Sequence, residues 1–348
     1  MPANSVAKAL RTITSGSEMS RAEARVAVRA MLEGEVGDSL IAGLLVALKM
    51  KGESAGEIAG FAEGMRDVQV SISPRVGLLV DTCGTGGDRT GTFNISTAAA
   101  IIASAAGVSI AKHGNRSVSS RCGSADVLDE LGVDIAMDPE KVCSCIESLG
   151  IGFLFAPNFH PAMKRVVEPR KSLGLPTIFN LVGPLTNPAG ARAQIIGVNR
   201  ADLVETLGEV LSQLGSDHVF VLHGMDGMDE FTLTAETLVC EIREGRSETK
   251  LLAPEDLGLA RFRSPEFLGG DATENASIIR EILSGAGGPK ADICVANAAF
   301  AIVVAGSAAD LKEGVRLARD AIETGAAKRK LAALVEFSRP GGACDVPR

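Results

Sequence analysis

The sequence predicts an α/β protein, a small all-helical unit followed by a larger unit built on a mainly parallel sheet. Three observations carry this. The first seventy or so residues hold only helix-period patterns. After Pro74, short apolar runs alternate with helical segments. Gly is abundant at 39 residues while Trp and Tyr are absent, which suits close helix-to-strand packing and backbone approach to a ligand.

In the opening region, Ser20-x-x-Glu23 is a capping box ahead of an amphipathic run ending near Glu33, and Ser54-x-x-Glu57 is a second. Asp38 is placed to cap the helix between them, which carries Leu40, Ile41, Leu44, Leu45 and Leu48. Beyond Pro74, strands are expected over 77–81, 108–111, 151–156, 193–198 and 218–223. Helices are expected over 96–106, 125–131, 139–149 and 201–214, with Pro139 opening its helix behind Asp138. Residues 237–252 read as a hairpin around Glu244-Gly245, and two or three helices follow from Ala272 to about Phe337.

Composition narrows the function. A net charge of −8 and 3% aromatic residues oppose a nucleic-acid binder, which needs a basic face or stacking platforms. The apolar stretch 98–111 is too short to span a bilayer and reads as a buried helix running into a strand. The N-terminus lacks the apolar core of a signal peptide, and seven cysteines without a C-x-x-C pair fit a reduced compartment, so a cytoplasmic location is expected.

The chemistry concentrates after the first strand. Asp81-Thr-Cys-Gly84-Thr-Gly86-Gly87-Asp88 leads toward a helix starting near Asn94, so its backbone N–H groups can approach an anion. By themselves these glycines fit a tight strand-to-helix turn equally well. A Walker loop is excluded by the missing Gly-Lys-Ser/Thr, and a dinucleotide fingerprint by Arg89 where Gly is required. Asn94-Ile-Ser96-Thr97 then places two hydroxyls and an amide at a helix start. Off the end of the next strand, Lys112-His-Gly-Asn-Arg-Ser-Val-Ser-Ser120, with Arg121 and Ser124 behind, offers charge-assisted donors for a second phosphate.

These motifs, in this order and spacing, resemble the anthranilate phosphoribosyltransferase family. The resemblance continues through His160-Pro-Ala-Met163, Arg170, Phe179 to Pro188, Asp226-Gly-Met-Asp-Glu230 and Gly269 to Asn275, and covers nearly the whole chain. It implies a nucleoside phosphorylase-like fold, with a helical domain at 1–72 joined by a returning segment near 165–190, and an α/β domain at 73–348. It also implies a homodimer. Phosphoribosyl diphosphate would be held by Gly84, Gly87, Asp88, Thr92, Asn94, Ile95, Ser96, Thr97, Lys112, His113, Gly114, Asn115, Arg116, Ser117, Val118, Ser119, Ser120 and Ser124. Anthranilate would meet Gly84, Asn115, His160 and Arg170. Ser96, Asp229 and Glu230 would hold Mg2+, two ions per site, with no general base assigned.

Two rival functions meet opposition from the same residues. A pyrimidine nucleoside phosphorylase is opposed by the Asp229–Glu230 pair and Arg170, and a non-catalytic nucleic-acid-binding relative by the negative charge. The sequence departs from the family pattern at Arg89, which stands where Gly is usual, and at Pro169, directly before Arg170. Arg89 implies either strain at positive φ or a charge directed at diphosphate; Pro169 implies a reset helix beneath the guanidinium.

Overall fold

The capping boxes form as their residues dictate. Ser20 Oγ accepts from Glu23 N while Glu23 accepts from Ser20 N, and Ser54 and Glu57 repeat the exchange. In this computed structural model, which describes residues 2–117 and 121–342, they open helices α2 (Arg21–Glu33) and α4 (Ala55–Arg66). With α1 (Pro2–Thr14) and α3 (Asp38–Lys51) they make a small N-terminal bundle. Gly60 and Gly64 let α4 lie directly on α2: a Cβ on either would sit 2.2 Å from Arg21 O or 2.3 Å from Val28 Cγ1. Asp38 proves to be the first helical residue, with Gly37 at the cap and no side-chain capping bond.

The larger unit contains β1 (Leu79–Asp81), α5 (Ile95–Ala105), β2 (Ser109–Gly114), α6 (Ser124–Glu130), α7 (Pro139–Leu149), β3 (Ile151–Phe155) and the single turn α8 (Ala156–Phe159). Helices α9 (Lys164–Leu173) and α10 (Ile178–Val182) return to the bundle before β4 (Ala193–Gly197), α11 (Asp202–Gln213) and β5 (His218–Gly224). The hairpin β6 (Thr237–Arg243) and β7 (Arg246–Leu252) turns at Glu244-Gly245, both at positive φ (52° and 75°). That is the two-residue turn whose twist suits a hairpin. Helices α12 (Ala272–Leu283), α13 (Pro289–Val304), α14 (Leu311–Glu323) and α15 (Ala326–Ser338) close the chain. There are four, not two or three, because Gly306 and Gly325 adopt positive φ between elements that read as continuous.

The sheet order is β3-β2-β1-β4-β5-β6-β7; the first five strands in this order are parallel and the hairpin is antiparallel. The chain runs outward from β1 through β2 to β3, then crosses to β4 on the other side. The ligand crevice of such a sheet lies beyond the carboxyl ends of β1 and β4, where the winding reverses. Apolar burial fixes this frame on both faces. One core joins the sheet to α5, α6 and α12–α15; a second joins α1–α4 with Val166, Phe179 and Val182 of the returning helices to Ile196 and Val219 on the opposite face. No helix among the described residues is long and apolar enough to cross a membrane.

Candidate active site

The glycine loop leaves β1 against the end of β4. Thr85 N donates to Gly197 O at 2.9 Å. Gly86, Gly87, Arg89 and Gly91 all hold positive φ (65°, 85°, 59° and 74°), which curls the chain in the way of anion-binding backbone nests. Asp88 is tied by Thr90, whose N–H and hydroxyl both donate to its carboxylate, and the Thr92 hydroxyl lies 3.4 Å from that of Thr90. Of the two alternatives at Arg89, the backbone therefore supports strain. Left-handed backbone costs a side chain about 1–2 kcal/mol, partly offset in a glycine variant by a looser unfolded chain. Arg89→Gly is expected to raise thermal stability by up to about 1 kcal/mol and to leave the KM for phosphoribosyl diphosphate unchanged. A raised KM with unchanged stability would assign Arg89 to charge instead.

At the start of α5, Asn94 accepts from Asn275 Nδ2 at 3.0 Å and donates to Cys122 O at 3.2 Å. Ile95 departs from the expectation for it: its side chain is buried and its N–H is taken by Phe93 O, so it presents no group to a phosphate. Thr97 is buried as well, its hydroxyl without a hydrogen-bond partner. Ser96 is the junction. Its N–H donates to Glu230 Oε1 at 3.1 Å, and its hydroxyl receives Lys112 Nζ at 3.4 Å.

Lys112 lies on β2, not in a loop, because β2 runs on to Gly114 and pairs Lys112 with Phe153, and Gly114 with Phe155. Its ammonium is buried and also donates to Thr82 O and Thr82 Oγ1, at 3.0 and 3.1 Å. It therefore supports the glycine loop from beneath and contributes positive charge. Across from it, the turn after β5 brings in Asp229 and Glu230, both half-buried. Burial, then the neighbouring Asp88 and Glu230 charges, hold the Asp229 carboxyl well above the usual range. Burial likewise pushes Glu230 up to about 7, against the pull of Lys112. Among the described residues no three or more His, Cys, Asp or Glu side chains close into a metal cage. Repelling carboxylates beside a hydroxyl and one ammonium are instead a partial, hard-oxygen donor set. Such a set fits Mg2+, which keeps waters and shares substrate oxygens.

The second cluster faces the returning helices. The rings of His113 and His160 lie 5.1 Å apart. Burial lowers His113 to about 3, aided by His160, and His160 to about 4, so both imidazoles are neutral at pH 7. Neither His113 nitrogen makes a well-formed hydrogen bond, although the Gly183 backbone lies close enough to favour the protonated form slightly; His160 Nε2 is also unpaired. Because unfolded histidines titrate near 6.5, the folded state binds fewer protons below that pH and stability falls as pH drops from about 6.5 toward 4. His160→Asn is expected to flatten this acid limb in thermal melts at pH 4.5–7. An unchanged slope would mean the ring is solvated.

Arg170 projects from α9 with its guanidinium 5.3 Å from the Phe179 ring centroid. Burial lowers its pKa, and among the described residues no carboxylate pairs with it. Helix α9 persists through Pro169, which is buried, to Leu173. In contrast, Arg116 is committed to Asp126 and Asp129 at 2.9 and 2.8 Å. Asn115 Oδ1 accepts from Arg116 N, and Ser124 Oγ donates to Asn115 O. Ser117 N and Gly123 N both donate to Asp126 at 2.9 Å. Val118, Ser119 and Ser120 lie outside the described residues.

Residues 77–328 match the family model described as the glycosyl transferase family a/b domain, and residues 7–68 the corresponding helical bundle domain. The chain is 51% identical over 330 residues to the anthranilate phosphoribosyltransferase of Methanococcoides burtonii, covering 94% of this chain and 93% of that one. The chain belongs to the anthranilate phosphoribosyltransferase family. The crystal structure of the Thermus thermophilus anthranilate phosphoribosyltransferase agrees with a TM-score of 0.91 at 44% identity, over 95% of this chain and 99% of that one. The Saccharomyces cerevisiae anthranilate phosphoribosyltransferase, solved in complex with PRPP and Mg, agrees at 0.86 with 27% identity, over 96% and 98%.

Several residues that shape the site of this family member escaped sequence reasoning as individuals. Asp81 is fully buried; it accepts from His113 N at 3.1 Å and from Asn187 Nδ2 at 2.7 Å, and burial raises it to about 6. Asn187 also donates to Ala111 O and so fastens the returning segment to the end of β1 and the middle of β2. Asp126 gathers the loop after β2. The available signal for Asp126 was its capping position three residues after Gly123, and for Asn187 its place inside a matched motif.

Proposed function

We infer that the chain transfers the 5-phosphoribosyl group of phosphoribosyl diphosphate to the amine of anthranilate, giving N-(5-phosphoribosyl)anthranilate and diphosphate. Full-length identity to the family carries this reading. The convergence of the glycine loop, Ser96, Lys112, Asp229 and Glu230 at the sheet's switch point supports it. The glycine-loop backbone, Asp88, Thr92, the start of α5 at Asn94, Ser96 and Thr97, and the 112–124 segment apart from the paired Arg116 guanidinium hold the diphosphate end. Arg170, a half-buried cation without a carboxylate partner among the described residues, receives the acceptor's carboxylate, with Asn115, Gly84 and the neutral His113–His160 pair around the ring.

The C–N bond forms at the anomeric carbon as the C–O bond to diphosphate breaks, and the amine then sheds a proton. An aniline nitrogen is already neutral at pH 7, so its lone pair needs no prior deprotonation. Positioning carries much of the rate. Asp229, Glu230 and Ser96 would hold Mg2+, two ions in this reading, which supplies positive charge to the departing diphosphate. Lys112 adds fixed positive charge beneath the loop. A helical domain at 1–72 with the 165–190 return, an α/β domain at 73–348, a homodimer and a cytoplasmic location complete the proposal.

Loss of anthranilate fluorescence on mixing protein, Mg2+ and phosphoribosyl diphosphate is the direct test, and the chain's lack of Trp and Tyr keeps the background low. No loss, together with metal-independent phosphorolysis of uridine or thymidine, would move the chain to the nucleoside phosphorylases.

A further inference from the structure

Asp229 and Glu230 sit in an irregular turn, yet the turn is fixed from three directions. Beneath it, Gly197 of β4 comes so close that a Cβ there would lie 1.5 Å from Asp229 O. On its near side, Asp226 accepts from Met228 N at 3.2 Å and from Thr232 Oγ1 at 2.6 Å, and also from the Thr234 hydroxyl. On its far side, the buried amide of Asn297 in α13 engages both polar groups of the residue after Glu230. Phe231 N donates to Asn297 Oδ1 at 2.9 Å, and Asn297 Nδ2 donates to Phe231 O at 3.0 Å. The second Asn297 N–H is satisfied by Ile293 O at 2.9 Å.

We propose that Asn297 is a positioning residue for the metal-binding carboxylates, clamping the peptide of Phe231 so that Glu230 meets Ser96 and the substrate's metal in one fixed arrangement. The inference rests on the reading of Asp229 and Glu230 as magnesium ligands. Its physical basis is complementarity. An amide carries one acceptor and one donor group on a single plane, matching the N–H and C=O of one residue. An aliphatic side chain would leave both buried groups unpaired, and a carboxylate would oppose one of them. Asn297 is also a polar residue in a helix whose other residues from Ala291 to Val304 are almost all buried and apolar. Packing alone does not call for it.

The test is Mn2+ binding by the full chain in the presence of phosphoribosyl diphosphate and absence of anthranilate, so that no turnover occurs, with free Mn2+ read by electron paramagnetic resonance. Four proteins are compared with the parent: Asn297→Leu, Asn297→Ser, Glu230→Gln and Phe300→Leu. Phe300 is fully buried, its ring 5.2 Å from that of Phe231, so its truncation loosens the same core without touching the peptide clamp. Outer partners of metal ligands commonly contribute about 10–100-fold in affinity. Asn297→Leu is expected to raise the half-saturating Mn2+ concentration about tenfold or more, Asn297→Ser by less because one hydroxyl replaces part of the clamp, and Phe300→Leu hardly at all. If Asn297→Leu does not fold, the Ser variant carries the comparison against Phe300→Leu. Equal shifts in the Asn297 and Phe300 variants, at equal loss of melting temperature, would reduce Asn297 to core stability and overturn the proposal. No shift at Asn297 while Glu230→Gln weakens binding overturns it too, and leaves the ligand assignment standing. If Glu230→Gln binds Mn2+ like the parent, the ligand assignment itself fails and this inference with it.

Discussion

Glu230→Gln and Asp229→Asn are each expected to lower kcat about a hundredfold or more while leaving the protein folded. A metal's electrostatic contribution to a departing anion amounts to several kcal/mol, and about 3 kcal/mol corresponds to roughly a hundredfold. The same substitutions are expected to preserve or raise the melting temperature of the metal-free protein. Both carboxyls are pushed up by burial and by neighbouring like charge. An amide of the same shape removes that repulsion. It also keeps an oxygen for the Ser96 N–H at position 230. Steady-state rates at limiting and saturating Mg2+, with a thermal melt of each variant, check both halves. Parent-like turnover at limiting Mg2+ in both variants would remove these residues from the metal site. Loss of folding would show instead that the pair is structural.

Much of the fold was legible because the residues that set it act locally. Pro139 behind Asp138 gave the helix 139–149 to the residue, and Glu244-Gly245 gave the hairpin, since cap and turn chemistry need no tertiary partner. What depended on partners was misread or missed. Lys112 and His113 look like loop residues until β3 is seen pairing with them. Arg116 reads as a phosphate cation until Asp126 and Asp129, ten and thirteen residues on, are found holding it. Ile95 sits between Asn94 and Ser96, whose polar groups bond to Asn275, Glu230 and Lys112, while its own side chain is buried in the core. Asn297 carried a signal that was available, a lone amide inside an apolar helix, but only the fold shows that it faces the turn beside Glu230.

Arg170→Ala is expected to raise the KM for anthranilate and also to lower kcat, with binding of phosphoribosyl diphosphate nearly unchanged. The guanidinium is stacked near Phe179 and lacks a carboxylate partner among the described residues, so a ligand carboxylate would be its ion-pair partner. Removing one partner of a charge-assisted hydrogen bond costs about 1.5–3 kcal/mol, or on the order of ten- to a hundredfold in kcat/KM. The loss reaches kcat because a ring released at its carboxylate no longer holds its amine at the anomeric carbon. Lysine should not restore the parent, since a point charge replaces a planar fork. Aniline isolates the pair. Without a carboxylate it should be a poor acceptor for the parent and nearly indifferent to the substitution. If aniline suffers as much as anthranilate, Arg170 serves α9 and the packing on Phe179, and the carboxylate must find its donors elsewhere, with Asn115 and the His113–His160 pair the next groups to vary.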